Sequence, residues 1–185
     1  MTKPSDKELI QAVKAGKKTA FAELYDRYGP LVRAICYDTT RNLTDAQDLA
    51  QDVFMRVYEK FGRLRDPDRF GKWVVGIARF RCREWQRNRL RSRNKKDGLY
   101  NTQVSVPDPP DDSRIELLRK MITTLPEKER LALHTFYLQD KSADNARRII
   151  GLSRSGFYRV LNRARKRLEK LLIKEQEIYN EDAIG

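Results

Sequence analysis

The sequence predicts an all-α protein of two helical domains joined by a flexible linker. Three observations carry that prediction. Apolar residues recur at three- and four-residue spacing along most of the chain, and no segment sustains the period-two alternation of a strand. Helix-capping signatures stand ahead of the periodic runs. A polar, aperiodic stretch from Asn94 to Asp112, carrying Pro107, Pro109 and Pro110 among aspartates, interrupts the pattern and reads as the linker. The expected domains are therefore 1–93 and 113–185, with 94–112 between them.

The elements follow in order. Ser5-x-x-Glu8 is a capping box, and the helix that it opens should end at Gly16, where glycine accepts the left-handed backbone of a helix end. Thr19 is placed to cap a second helix carrying Phe21, Leu24, Tyr25 and Tyr28, which Pro30 either kinks or restarts. Thr44-x-x-Gln47 reads as a second capping box, for a helix to about Phe61 that buries Ala46, Leu49, Ala50, Val53, Phe54, Val57 and Phe61. A fourth helix spans about Phe70 to Arg89, and on its wheel Phe70, Trp73, Ile77 and Phe80 point one way and are expected in the core. Ser113-x-x-Glu116 is a third capping box, and Leu125-Pro126 separates its helix from the one through Leu131, Leu133 and Leu138.

Composition narrows the function. The chain has 185 residues, of which 39% are apolar and 35% charged, enough apolar surface for a modest core. No apolar run approaches the roughly 18 residues of a membrane span. The stretch from Met1 to Glu8 has no apolar signal region, so a cytoplasmic protein without membrane partners is expected. Cys36 and Cys82 read as reduced, partly buried thiols, and His134 is too distant in sequence to complete a zinc site with them. No phosphate loop or hydrolase motif is present, and no metal or cofactor is expected.

Charge is segregated. The net charge is +13, yet residues 1–60 carry 10 basic and 9 acidic residues, whereas residues 61–100 carry 13 and 4. Residues 114–185 carry 16 basic and 10 acidic residues, a second basic block. Solubility alone does not need such segregation, and a polyanion touching the chain at two places is the simplest partner.

Residues 142–172 carry the strongest motif. Ser142 can cap a short helix to Ile150, Gly151 supplies a tight turn, and Ser153 can cap the next helix. That is the helix-turn-helix arrangement, which sets its second helix in the DNA major groove. Phe157, Val160, Leu161, Ala164, Leu168, Leu171 and Leu172 fall on the face to be buried. Ser155, Tyr158, Arg159, Asn162, Arg163 and Lys166 fall on the opposite face, where arginine can grip guanine, asparagine adenine and the others phosphate. Arg147 cannot be buried cheaply without a partner, so either Ala146 packs in its place or the motif is atypical.

The N-terminal half offers two further faces. Asp48, Gln51, Asp52, Met55 and Glu59 form an outer, acidic face on the third helix, unsuited to phosphates, which fits a protein partner and plain solvated surface equally well. Between Arg63 and Lys96, basic residues alternate with Phe70, Trp73, Phe80 and Trp85, a composition that suits an unstacked single strand, though core packing explains any one aromatic as well.

Five stretches in order, AFAELYDRYGPLVRAI at 20–35, DAQDLAQDVFMRVYEKF at 45–61, FGKWVVGIARFRCREWQRNRLR at 70–91, LPEKERLALHTFYL at 125–138 and GLSRSGFYRVLNRARKRLEKL at 151–171, resemble the extracytoplasmic-function (ECF) sigma factors. The resemblance implies two helical bundles on a tether and a partner in core RNA polymerase, through its β′ clamp helices and β flap. It implies that Asp48, Gln51, Asp52 and Met55 meet the clamp helices. Promoter −10 DNA would be bound and melted by Arg65, Arg69, Lys72, Arg79, Arg83 and Arg87, with a base extruded beside the loop from Leu64 to Arg69. The −35 element would be read by Arg154, Ser155, Tyr158, Arg159, Asn162, Arg163 and Lys166. The linker would thread near the RNA exit path, and an anti-sigma factor is a frequent partner in that family. Family members usually carry IARN where this chain has Ile77-Ala78-Arg79-Phe80.

Two rival readings come from other classes. A stand-alone regulator would bind duplex DNA tightly without polymerase and leave the acidic face unused. A DNA-processing enzyme would use carboxylates such as Asp45, Asp48 and Asp52, of which Asp48 and Asp52, one helical turn apart, could share a metal, but no histidine or further acidic cluster accompanies them in the sequence.

Overall fold

The computed structural model describes residues 4–96 and 113–182, all in helices, turns and short connections, with no strand among them. The chain divides into two compact units, Met1–Asp108 and Pro109–Gly185. The first holds α1 (Asp6–Lys14), α2 (Lys18–Thr40), α3 (Leu43–Glu59) and α4 (Phe70–Lys96). The second holds α5 (Ser113–Thr124), α6 (Glu127–Tyr137), α7 (Ala143–Ile150) and α8 (Arg154–Asp182).

Local chemistry sets most of the helix ends. At α1 the Glu8 N–H donates to Ser5 Oγ at 3.3 Å, and the Ser5 N–H donates to Glu8 Oε2 at 2.7 Å. This reciprocal pair satisfies two of the donors that a helix start leaves open. Gly16, just past the helix, takes φ +88°, as expected of a glycine terminator.

Other starts differ from the sequence reading. α2 begins at Lys18 after Lys17, which makes no side-chain cap, and Thr19 lies exposed inside the helix. Nor does Pro30 restart anything, because α2 runs through it as one 23-residue helix. The cap of α3 is Asn42, whose Oδ1 accepts from the Asp45 N–H at 2.8 Å, so Thr44 and Gln47 sit within the helix rather than forming its capping box. α3 stops at Glu59, and Phe61 begins a separate 3₁₀ turn. α4 continues to Lys96 instead of ending near Arg89, so Asn94 to Lys96 of the expected linker are helical, and the rest of that linker lies outside the described residues. Ser113 is the first residue of α5, and its side chain also lies outside them.

The core of the first unit forms where α2, α3 and α4 meet. Leu24, Tyr28, Leu31, Val32, Val53, Val57, Phe70 and Val74 are fully buried. Tyr28 and Phe70 meet edge to face, their centroids 5.2 Å apart. Asp6 binds both the Tyr28 hydroxyl and the Arg27 guanidinium, tying α1 to α2. Cys36 and Cys82 are free thiols, both in the core, with Cys36 buried completely. The Cys82 thiol donates to the Ile35 carbonyl at 3.8 Å, and contact with Cys82 together with burial holds the Cys36 thiol protonated.

In the second unit Phe157, Leu161 and Ala164 of α8 pack against Ala132 and Leu133 of α6 and Ala146 of α7. Ala146 is fully buried, while Arg147 stays at the surface with its Nε 2.7 Å from Asp144 Oδ1. The short helix therefore turns its alanine inward. Leu172, placed on the buried face by its spacing, is 40% exposed, because α8 runs on past the helices that cover its first half.

Candidate nucleic-acid interface

The helix-turn-helix is built by local signals. Ser142 Oγ accepts from the Asn145 N–H at 3.2 Å to start α7, and Gly151 ends it with φ +73°. That left-handed turn is open to glycine at little cost. Ser153 Oγ then accepts from the Gly156 N–H at 3.2 Å at the start of α8. With Phe157, Val160, Leu161 and Ala164 buried, Arg154, Ser155, Tyr158, Arg159, Asn162, Arg163 and Lys166 are all exposed. No carboxylate among the described residues pairs with Arg159, Arg163 or Lys166. This is an uncovered donor-rich helix face of the kind that fits the major groove.

The first unit carries a groove of about 740 Å³ between the segment 60–69 and α4. Leu64 is buried beneath it, and Lys14 of α1 donates to the Leu64 carbonyl at 2.9 Å, which anchors the loop. Asp66 shapes the next turn by accepting from the Asp68 N–H at 3.0 Å and pairing with Arg69 at 3.0 Å. The groove floor and walls include Trp73, Gly76, Ile77 and Phe80 of α4. Of the residues expected at −10 DNA, Arg65, Arg69 and Lys72 line this groove. Arg79, Arg83 and Arg87 are exposed but do not line it. They follow Lys72 along one stripe of α4, since spacings of four and seven return to the same side of a helix.

Here the sequence reading of α4 needs correction. The buried stripe is Phe70, Val74, Ala78 and Cys82, joined by Val75. Trp73 and Ile77 are half-buried and Phe80 is 46% exposed, so three of the four residues expected in the core form the groove wall. Both stripes satisfy helical spacing, and only the small residues Ala78 and Cys82 mark the face that packs closely on α2 and α3. Trp85 lies elsewhere on α4, half-buried beneath the Arg89 guanidinium at 4.9 Å. Sequence reasoning also missed Lys60, Arg63 and Arg81 as groove residues.

On α3, Asp48, Gln51 and Met55 are exposed, Met55 at 58%. Asp52 departs from this ridge. It is half-buried and bound by Arg81 of α4, whose Nε lies 2.7 Å from its Oδ2. The carboxylate in turn holds the Arg81 guanidinium even more firmly protonated than usual. Asp45 lies 3.8 Å from Arg89 in the same way, so part of the acidic face serves the α3–α4 contact. Beside the ridge, Phe21, Tyr25, Phe54, Met55 and Tyr58 line a small apolar trough, with Tyr58 52% exposed. Among the described residues no three His, Cys, Asp or Glu side chains gather as metal ligands, and no helix is long and apolar enough to cross a membrane.

A helix-turn-helix in one unit and a cationic, aromatic groove in the other define a helical protein of the nucleic-acid-binding class. The family model for sigma-70 region 2 matches residues 24–93, and that for a protein of unknown function, DUF134, matches residues 83–182. Over 152 residues the chain is 30% identical to the ECF RNA polymerase sigma factor SigM of Bacillus subtilis, covering 80% of this chain and 93% of that one. It belongs to the ECF RNA polymerase sigma factors. It is also 23% identical to the probable RNA polymerase sigma factor RfaY of Xanthomonas campestris, covering 89% of this chain but spanning only 43% of that longer protein. Among solved structures, CnrH in complex with the cytosolic domain of CnrY matches with a TM-score of 0.62 and 25% identity, over 91% of this chain and 97% of that one.

Proposed function

We propose that this chain is a dissociable promoter-specificity subunit of RNA polymerase, acting in the cytoplasm and catalysing no covalent step itself. One observation carries the reading: two cationic surfaces stand on separate units, while α3 keeps an exposed ridge of Asp48, Gln51 and Met55 that offers phosphates no cation. The ridge and the adjoining apolar trough suit a protein, and in this reading that protein is core polymerase at its β′ clamp helices. An anti-sigma factor that covers the ridge would hold the chain inactive.

The physical course is as follows. α8 enters the major groove of the −35 element, where Arg159 and Asn162 near its start face base edges and Lys166 meets phosphate. The basic stripe of α4 tracks the −10 backbone through Lys72, Arg79, Arg83 and Arg87. Opening the duplex costs stacking and pairing free energy. Holding the separated strand in the groove of Arg63, Arg65, Lys72 and Trp73 offsets that cost. Polymerase performs the nucleotidyl transfer.

The test is transcription in vitro with purified core RNA polymerase on a genomic DNA library. Start sites that depend on this chain, sharing two sequence elements, are the expected result. If the polymerase initiates identically with and without the chain while the chain alone binds duplex DNA tightly, the stand-alone regulator replaces this reading.

A further inference from the structure

Phe80 is the most exposed phenylalanine of the first unit. Tyr28, Phe54, Phe61 and Phe70 are buried and meet other rings, whereas Phe80 is 46% exposed on a groove whose other exposed members are mostly cationic. Water-exposed phenyl surface is unfavourable, and the core does not use this ring.

A second observation concerns Gly76, which lies one helical turn before Phe80 and also lines the groove. Glycine weakens a helix interior relative to alanine. Packing does not explain it, because a Cβ built at Gly76 would meet nothing within 4 Å. Helical side chains lean toward the N-terminus, over the residue four positions earlier. Phe80 thus stands one turn after a bare turn of helix, none of its atoms comes within 4 Å of a Cβ built at Gly76, and Lys72 and Trp73 line the groove a turn further on.

We infer that Phe80 and Gly76 form a slot for the face of one unpaired DNA base, held by stacking, with Arg63, Arg65 and Lys72 on the flanking phosphates. The inference rests on the groove being the site of the melted strand. A phenyl ring has no donor or acceptor, and every base offers a π-face. The slot therefore demands that a base be present without reading its edge, and selectivity at that position follows stacking strength alone.

The test uses holoenzyme assembled from core polymerase and this chain, with labelled non-template-strand oligonucleotides from a mapped promoter, each made abasic at one position in turn. Phe80→Ala should weaken single-strand binding roughly 5- to 100-fold. The unaltered holoenzyme should lose a similar factor at one abasic position, and Phe80→Ala should be indifferent to that same position. Phe80→Trp should bind within about threefold of the original, the residual difference reflecting ring size. Gly76→Leu should reproduce the loss while its melting temperature stays level or rises. Equal binding by Phe80→Ala, or the same abasic profile in both proteins, overturns the slot alone. Failure of the unaltered holoenzyme to bind any of these strands overturns the groove reading beneath it as well. Core binding and duplex −35 binding, measured on each variant, show that the rest of the molecule is intact.

Discussion

Arg81 on α4 donates from Nε to Oδ2 of Asp52 on α3 at 2.7 Å, with a further bond from its Nη2 to the same oxygen. Its Nη1 reaches Glu84 Oε2 at 2.6 Å, so one guanidinium joins two carboxylates and clamps two helices. The acidic ridge of α3 is thereby divided between an internal ion pair at Asp52 and an outward group at Asp48.

The division separates stability from docking. Asp52→Arg places a second cation against Arg81 and should cost about 1–3 kcal/mol, the scale of lost charge-assisted hydrogen bonds. Asp48→Arg should leave the urea midpoint nearly unchanged, as surface substitutions do, yet weaken core polymerase binding at least about tenfold if the ridge is the docking face. Chemical denaturation beside a core-binding titration checks both. Normal core binding by Asp48→Arg removes that residue from the interface.

The turn before α8 allows a second prediction. Gly151 holds φ +73°, where an L side chain costs roughly 1–2 kcal/mol. Gly151→Ala should destabilise the second unit by about that amount and weaken duplex binding in proportion. Differential scanning calorimetry together with fluorescence anisotropy on −35 DNA measures the two effects. A variant as stable as the original would mean that the turn relaxes to another backbone.

Contacts along α8 should differ in kind. Arg159 stands near the start of the helix and Lys166 about two turns beyond it. Lys166→Ala should weaken binding evenly across sequences and lower the salt slope by about 1. Arg159→Ala should instead relax preference at one base pair, worth about 1–3 kcal/mol. Salt titrations on specific and scrambled duplexes distinguish these outcomes, and identical behaviour of the two variants would contradict the assignment.

Acid sensitivity follows from two carboxylates. Glu8 is held below its ordinary value by its hydrogen bonds from the Ser5 backbone and side chain, and Asp144 by its bond from Arg147. Lowered folded-state values mean that their stabilisation is whole above the unfolded range near pH 4 and is lost as pH falls through the lowered values. Thermal midpoints should therefore not move on account of these groups between about pH 5.5 and 8. Below about pH 4 the decline should be shallower in Asp144→Asn, and an unchanged acid limb in that variant would show that its carboxylate contributes nothing.

Much of this organisation is legible without coordinates wherever the determining interaction is local. The Ser5–Glu8 box, the Ser142 cap, the Gly151 turn and the buried stripe of α3 each depend on residues within one or two helical turns of each other, and each stands where the spacing puts it. Local signals mislead where two of them compete. Asn42 and Thr44 can both cap a helix, and Asn42 does so, with the Thr40 hydroxyl also donating to its carbonyl.

By itself the sequence determined an all-α chain of two units, the segregation of its positive charge, and the donor-bearing face of α8. These follow from composition, periodicity and capping, which are properties of the chain taken along its length. Only the tertiary structure decided that Phe80 and Trp73 face the groove while Ala78 and Cys82 face the core, and that Asp52 belongs to Arg81. The physical reason is that a helix with two apolar stripes fits either one to its neighbours, and close approach to α2 and α3 selects the stripe of smaller residues.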